Sequence, residues 1–201
     1  MTRSLKPRIT MNGQDAQMLD IIRKKAGMFP IYTELRMQRN SQSNLMMRKG
    51  TLLQNTSTEN CGVSARCFQG GSFGFASIPS TRDADIDQVL SDARDNSELF
   101  SNRQTEPSDL PSLGNDEGIY DYRTRATKQD VQRRVQYLKC LNAYVEKSYP
   151  QLINWDLVMA ELSMEKALVT SDNTTTYSFV PRSNLILSMT CQSKDGPVEL
   201  Y

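Results

Sequence analysis

A period of two in the hydrophobic residues predicts a β-hairpin between residues 61 and 80. Small and apolar residues alternate with polar ones, and the alternation resumes after the pair Gly70-Gly71. Glycine supplies the positive φ angles that a two-residue hairpin loop requires. Before the turn, Val63, Ala65 and Cys67 are expected to point to one side of the strand, and Ser64, Arg66 and Phe68 to the other. The sequence therefore predicts two short strands that turn at the glycine pair.

Three segments have the helical period instead, with apolar residues three and four positions apart. They predict helices over residues 14–26, over residues 83–102 and from Thr127 to just before Pro150. Asp83 and Thr127 stand where an N-cap is expected. The expected buried faces contain Met18, Leu19, Ile22 and Ala26 in the first helix, Ile86, Val89, Leu90, Ala93 and Phe100 in the second, and Val131, Val135, Leu138 and Val145 in the third.

The remaining periodic stretches predict two antiparallel meanders. The first contains a strand at residues 31–38, two short strands around the Lys49-Gly50 turn, and the hairpin, about five strands in all. The second contains short strands between residues 155 and 191, with a turn at Ser171-Asp172-Asn173. Runs of strands are separated from runs of helix, so the predicted fold class is α+β, with antiparallel meanders packed with three helices.

Two segments lack periodicity and set the expected domain boundaries. Residues 1–12 are polar and basic and are expected to form a flexible N-terminus. Residues 104–124 gather prolines and glycines, which predicts a long connecting loop. The expected domain covers residues 13–201, as a lobe (13–103), this loop, and a helix with the second meander (125–201).

Composition and charge exclude several functional classes. The 24 basic and 23 acidic residues leave a net charge of +1, so a nucleic-acid partner is not expected. No stretch approaches the ~20 apolar residues that cross a bilayer. The four cysteines form no C-x-x-C motif, and we expect a reduced, cytoplasmic chain. The sequence has no histidine, which excludes Ser-His and Cys-His catalytic pairs and histidine-ligated zinc.

Two short motifs resemble those of one known family. A G-x-x-x-R segment followed by a G-x-x-G-[FY]-[AS] hairpin recurs in the N-terminal domain of the TldD/PmbA family, and a turn of the form Asn-Ser-[Glu/Asp]-Gly follows about a hundred residues later. The residues at the matching positions are Gly62, Arg66, Gly71, Gly74, Phe75 and Ala76, with Ser171 and Asp172 in the later turn. Asn173 stands where the family often has glycine. The resemblance covers about residues 13–196.

The resemblance implies a zinc metallopeptidase family that acts on small or unfolded peptides and was once named for modulation of DNA gyrase. Family members are dimers that enclose the substrate between subunits. The zinc-binding helix, H-E-x-x-x-[HD], lies beyond the N-terminal domain in the family, so zinc is expected only in a C-terminal part that this sequence lacks. The resemblance thus implies a substrate-chamber and dimerisation module, with a TldD/PmbA-like subunit and a peptide substrate as partners. It carries over no catalytic or metal residue, and the chain is expected to be inactive alone.

Two surfaces are candidate contacts for a peptide or a partner: the hairpin tip and the 104–124 loop. Their residues are Gln69, Gly70, Ser72, Tyr120 and Tyr122. A stand-alone, non-catalytic peptide- or protein-binding domain is the alternative function. A self-sufficient enzyme is a third class, and its candidate acids are Glu34, Asp156, Glu161 and Asp172. The sequence leaves open whether the chain is a fragment, a truncated product or a split subunit.

Overall fold

The computed structural model describes residues 13–106, 108–110, 116–124, 129–194 and 196–200. The expected flexible N-terminus, residues 1–12, lies outside the described residues. The chain divides into two compact units whose segments alternate along the sequence. Unit 1 contains residues 1–40, 60–122 and 164–180, and unit 2 contains residues 41–59, 123–163 and 181–201.

Three helices and seven strands occur in the described parts of the chain, which confirms the α+β fold class. They are α1 (Gly13–Met28), β1 (Tyr32–Arg48), β2 (Thr51–Gln69), β3 (Ser72–Ile78), α2 (Asp83–Ser101), β4 (Glu117–Asp121), α3 (Val131–Ser148), β5 (Leu152–Thr170), β6 (Thr175–Ser193) and β7 (Gly196–Leu200). The strands form one sheet in the order β3-β2-β1-β5-β6-β4, and β7 pairs with β6. The β2–β3 and β6–β7 pairs are antiparallel, whereas β4 runs parallel to β6.

The hairpin between β2 and β3 is confirmed in its residues and its register. Val63 lies opposite Ile78 and Gln69 lies opposite Ser72, so the chain turns at Gly70-Gly71 as expected. Both glycines have positive φ angles, 55° and 84°. Val63, Ala65 and Cys67 lie on one face, as the alternation predicts, and all three are buried.

The strands are fewer and longer than the sequence predicts. Strand β1 continues through the polar residues 39–43 to the Lys49-Gly50 turn, and β2 runs from that turn into the hairpin. The first meander therefore has three strands instead of about five. Residues 51–60 of β2 are all exposed and have no apolar alternation, yet they remain in the strand. Backbone hydrogen bonds to a neighbouring strand can hold such a segment without burial of its side chains. Its pattern of apolar and polar residues therefore does not predict a strand.

Four other features differ from the sequence predictions. Helix α2 has Arg82 as its N-cap, and Asp83 is its first helical residue. Helix α3 begins at Val131, where the Asp130 side chain accepts a hydrogen bond of 2.7 Å from the Arg133 amide; Thr127, the expected cap, lies outside the described residues. Phe100, expected in the core, is half exposed. Strand β4 lies within the segment expected to be a loop.

Helices α1 and α2 pack against one face of the sheet in unit 1. This core contains Leu19, Ile22 and Ala26 of α1, Ile86, Val89, Leu90 and Ala93 of α2, and Leu35, Met37, Val63, Ala65, Cys67, Ala167, Val169 and Tyr177 of the strands. Gly74 of β3 lies directly under α2. A Cβ at this position would lie only 2.8 Å from the Asn96 carbonyl carbon. A glycine is therefore required where the helix and the strand come closest.

Unit 2 has a smaller core of its own around α3. Its fully buried members are Leu45, Met47, Leu138 and Leu157. The buried Trp155 indole donates a hydrogen bond of 2.8 Å to the Asn142 side-chain oxygen. Arg134 of α3 donates to the Ser43 hydroxyl at 2.9 Å and forms an ion pair with Glu161. Polar contacts thus fix α3 on the strands where the apolar core is thin.

Candidate functional site

The sheet face opposite α1 and α2 in unit 1 is the candidate site, and we call it the open face. Alternation along the strands puts every second residue on it, because neighbouring side chains of a strand point to opposite faces. Its residues are half-buried or exposed. They are Tyr32, Glu34 and Arg36 of β1, Ser64, Arg66 and Phe68 of β2, Phe73 and Phe75 of β3, Tyr120 of β4, Lys166 of β5, and Thr176 and Ser178 of β6.

One end of the open face carries a charged and aromatic group centred on Arg66. The Arg66 guanidinium carbon lies 3.6 Å from the centre of the Phe73 ring, and a guanidinium nitrogen lies 3.7 Å from a Glu34 carboxylate oxygen. The Tyr32 hydroxyl donates to the same carboxylate at 3.2 Å. Phe68 packs on Phe73 with 4.8 Å between the ring centres. We call these five residues the Arg66 cluster.

The surroundings of Tyr32 raise the pKa of its phenol. Burial raises the pKa of the Tyr32 phenol well above its ordinary value, and the negative charges of Glu34 and Asp172 raise it further, while Arg66 acts in the opposite direction. A tyrosine phenol is already neutral at physiological pH, and the raised pKa extends this neutral, hydrogen-bond-donating form to more alkaline pH. Two cross-strand interactions hold the Arg66 side chain, since cation–π stacking and the carboxylate both restrict its rotamers.

The later turn motif lies beside this cluster. Asn173 has a φ of 70°, the left-handed conformation expected of a residue in the glycine position. The Ser171 amide donates to the Thr33 carbonyl at 2.8 Å, and the Ser171 hydroxyl accepts from the Thr33 amide at 3.0 Å. The turn is thereby tied to β1, and the Asp172 charge reaches Tyr32. The fold thus brings the two sequence motifs together.

A cavity of about 290 Å³ opens at the other end of the open face. Its lining consists of Arg36, Tyr120, Lys166, Ala167, Leu168, Thr176, Tyr177 and Ser178. Neither Arg36 nor Lys166 has an ion pair or a hydrogen bond with the part of the chain that the structure describes. The cavity therefore combines two unneutralised cations with hydroxyl groups from two strands.

The hairpin tip is occupied by the segment that follows α2. The Ser72 hydroxyl bonds to the Gln104 side chain, and the Ser108 hydroxyl donates to the Gly71 carbonyl at 3.1 Å. A Cβ on Gly70 would lie 2.8 Å from the Ser101 Cβ. Gln69 pairs with Ser72 at the end of the hairpin. These candidate contacts therefore pack against the chain itself, whereas Arg66 and Phe75 of the same motif lie on the open face.

The tyrosines of the predicted loop lie on or beside β4. Tyr120 lies on the rim of the cavity with 48% of its surface exposed. Tyr122 is more exposed, and its amide donates to the Phe179 carbonyl at 2.9 Å.

The sequence reasoning missed Arg36 and Lys166. A charge at an alternate strand position is an ordinary solvent-facing feature, and only the strand order shows that these two share a cavity.

Two motif residues have structural roles. A Cβ on Gly62 would lie 2.8 Å from the Ile78 carbonyl oxygen, so this glycine permits close approach of β3 to β2. Ala76 lies opposite Ala65 in the hairpin.

The residues of this chain do not reproduce the zinc-binding helix, which the resemblance places beyond the N-terminal domain. The sequence supplies no imidazole ligand. Among the residues with described positions, no group of three or more Cys, Asp or Glu side chains has an arrangement that could hold a metal ion.

The helices in the described ranges are all too short or too polar to cross a membrane.

Comparison with known proteins identifies both a domain and a fold. Residues 33–97 match the family described as PmbA/TldA metallopeptidase domain 1. This range begins in β1, ends within α2, and contains the Arg66 cluster except Tyr32. No curated protein matches the chain.

Three solved structures share the fold over most of this chain. A putative modulator of DNA gyrase from Thermotoga maritima aligns with a TM-score of 0.63 and 14% identity, covering 92% of this chain and 41% of that one. A putative modulator of DNA gyrase from Bacteroides thetaiotaomicron aligns with a TM-score of 0.62 and 13% identity, covering 94% and 43%. TldE from Thermococcus kodakarensis aligns with a TM-score of 0.61 and 9% identity, covering 90% and 40%.

This chain therefore spans about two-fifths of the length of the structures that it matches. At these identities the structural likeness shows the fold, and the family match applies to residues 33–97. The resemblance drawn from the two sequence motifs is confirmed: residues 33–97 match domain 1 of the PmbA/TldA metallopeptidase family, and the chain shares its fold with solved structures that include TldE.

Proposed function

We propose that this chain is the substrate-chamber and dimerisation module of a TldD/PmbA-like zinc metallopeptidase and is itself non-catalytic. The observation that carries the proposal is the match of residues 33–97 to the first domain of a metallopeptidase family. The proteolytic machinery would come from a subunit or segment that has histidine, because this chain has none. The proposed substrates are small or unfolded peptides.

The open face supports peptide binding by its chemistry. It presents aromatic rings from β2 and β3, the restrained Arg66 guanidinium, and hydroxyl groups from β6. Such a surface contacts apolar side chains and hydrogen-bonds to peptide groups without demanding one sequence. The edge of β3 is less suited to strand addition, because the Asn96 side chain already donates to the Phe75 carbonyl at 2.9 Å. We therefore assign the peptide to the open face.

The exposed half of β2 supports dimerisation. Strand β3 pairs only with residues 63–69 of β2, so in the described ranges no strand covers residues 51–60 on that side. Leu52 and Leu53 are exposed there, and Glu59 is the only charged residue. A strand edge that carries one charge and lacks a neighbouring strand is a template for pairing with another chain. A homodimer or a heterodimer with a TldD/PmbA-like subunit would use this edge.

The cytoplasmic location is part of the same proposal. All four cysteines, which lie within the described ranges, are free thiols. Free thiols persist where the compartment is reducing.

The test is reconstitution of peptide hydrolysis. The chain is purified with its native partners, and cleavage of a fluorogenic, unstructured peptide is measured with zinc and with a chelator. We expect cleavage only in a complex that contains a histidine-bearing TldD/PmbA-like subunit. Arg66→Gln should lower this cleavage by raising KM, whereas Arg82→Gln, an exposed arginine at the start of α2, should not.

Three results would count against the proposal. Hydrolysis by the isolated chain that survives the chelator would identify a self-sufficient carboxylate enzyme. Peptide binding by a chain that never associates with such a subunit would identify a stand-alone binding domain. Equal cleavage by the Arg66→Gln and Arg82→Gln complexes would remove the open face from the substrate path.

A further inference from the structure

The cavity on the open face has a composition that selects one class of chemical group. Arg36 on β1 and Lys166 on β5 supply two positive charges, and Tyr120, Thr176 and Ser178 supply hydroxyl groups. The lining contains no acidic side chain. Glu34, the acid nearest to Arg36 along β1, is engaged by Tyr32 and Arg66. The cavity therefore favours an anion over a cation, because its lining has two positive charges and no carboxylate.

The geometry points to a carboxylate-binding site, and we infer that it takes the C-terminal carboxylate of a peptide. A guanidinium presents parallel donors that match the two oxygens of a carboxylate, and an ammonium adds a point charge. Leu168 and the Tyr120 ring supply apolar surface for the last side chain. At about 290 Å³ the cavity is at the small end of ligand sites, so it fits one terminal residue better than a long segment.

The backbone around the two cations is held from the opposite face of the sheet. Arg36 lies between the fully buried Leu35 and Met37, and Lys166 lies between the buried Glu165 and Ala167. Glu165 is itself fixed by hydrogen bonds from Arg39 at 3.1 Å and from the Tyr177 hydroxyl at 3.0 Å. The Cα positions of both cations are thus set by the core, and only their side chains adjust to a ligand. This favours recognition of a small, rigid anion.

The inference rests on the proposed function in taking the ligand to be a peptide, but its test needs no peptidase activity. The full chain is titrated, with backbone amide NMR signals as the readout, with Ac-Ala-Ala-Phe-Leu as the free acid and as the C-terminal amide. Two further probes separate the sources of negative charge: Ac-Ala-Glu-Phe-Leu amide, which has only an internal carboxylate, and inorganic phosphate. Binding should shift the amide signals of Leu168, Thr176 and Ser178.

We expect the free acid to bind on the order of tenfold more tightly than its amide, the ratio typical of one charge-assisted pair. Arg36→Gln and Lys166→Gln should each reduce that ratio towards one. Lys139→Gln, which removes an exposed charge from α3, should leave it unchanged. Both cavity residues are exposed, so the variants should fold, and far-ultraviolet circular dichroism is the check on each of them.

Four results would overturn the inference. The acid and the amide bind equally well, or neither binds at millimolar concentration. The internal glutamate peptide matches the free acid, which would indicate a site for acidic side chains. Phosphate matches the free acid, which would indicate a general anion site. The preference for the acid survives both Arg36→Gln and Lys166→Gln. Since every arm uses the isolated chain, such a failure is separate from failure of the reconstituted peptidase.

Discussion

Replacing Gly74 with alanine tests the close packing of α2 on the sheet. A methyl group at this position would lie 2.8 Å from the Asn96 carbonyl carbon and closer still to the Ala93 carbonyl oxygen and the Ser97 amide nitrogen. All three obstructing atoms belong to the helix backbone, so no side chain can rotate to relieve the overlap. The helix must therefore move away from β3.

The cost follows from what that movement does to the core. Helix α2 contributes Ile86, Val89, Leu90 and Ala93 to the buried cluster of unit 1, all at most 2% exposed. Overpacking of a well-packed core typically costs about 1–3 kcal/mol. Because the obstruction is backbone and four core residues shift together, we expect a loss of about 3 kcal/mol in the free energy of unfolding. In a chain of this length, that corresponds to a decrease in Tm of roughly 6–12 °C.

Urea denaturation followed by circular dichroism measures the loss, with Gly27→Ala as the matched control. Gly27 lies near the end of α1, is exposed, and a Cβ there would meet no atom within 4 Å. The control should gain up to about 1 kcal/mol, since alanine is the better helix former. A Gly74→Ala variant within about 0.5 kcal/mol of the parent chain would refute the close-packing argument.

Three further predictions concern other parts of the structure. The raised pKa of the Tyr32 phenol stabilises the folded chain below pH ~10, the ordinary pKa, and the contribution is lost as pH rises above it, because the unfolded chain then releases a proton that the folded chain keeps. The urea midpoint should fall between pH 9 and pH 11 less steeply in Tyr32→Phe than in the parent; equal slopes would contradict this. Asn142→Ala leaves the buried Trp155 indole donor without its acceptor and should cost about 1–3 kcal/mol by the same urea assay, and a neutral result would show that the hydrogen bond is dispensable. Iodoacetamide should label the exposed Cys140 well before Cys67, because burial removes access to the Cys67 thiol and raises its pKa. Peptide mass spectrometry measures the order of labelling, and earlier labelling of Cys67 would contradict the prediction.

The β-hairpin was predictable because local rules alone determine it. Alternation predicted which side chains of residues 63–68 share a face, and the Gly70-Gly71 pair marked the turn. The helices were predictable for the same reason, although their first residues were not. Asp83, a favourable cap residue, is the first residue inside α2. The N-cap position belongs to Arg82, whose side chain makes no capping hydrogen bond.

The long strands and the site required information that a single strand does not contain. Residues 51–60 are exposed on both faces, so side-chain pattern cannot distinguish them from a loop. The contact between Glu34 and Arg66, and the shared cavity of Arg36 and Lys166, depend on strand order and register. That order places β5 beside β1, although about a hundred residues separate them in the sequence. Tertiary pairing, and not local propensity, creates the open face.

The location of the single tryptophan has a practical consequence for experiments. Trp155 is almost wholly buried and belongs to unit 2, whereas unit 1 has only tyrosine and phenylalanine as aromatic residues. Excitation at 295 nm therefore reports on one half of the molecule without any label being introduced. Its emission acts as an intrinsic optical probe, and a spectral change on adding a partner assigns that event to the surroundings of α3.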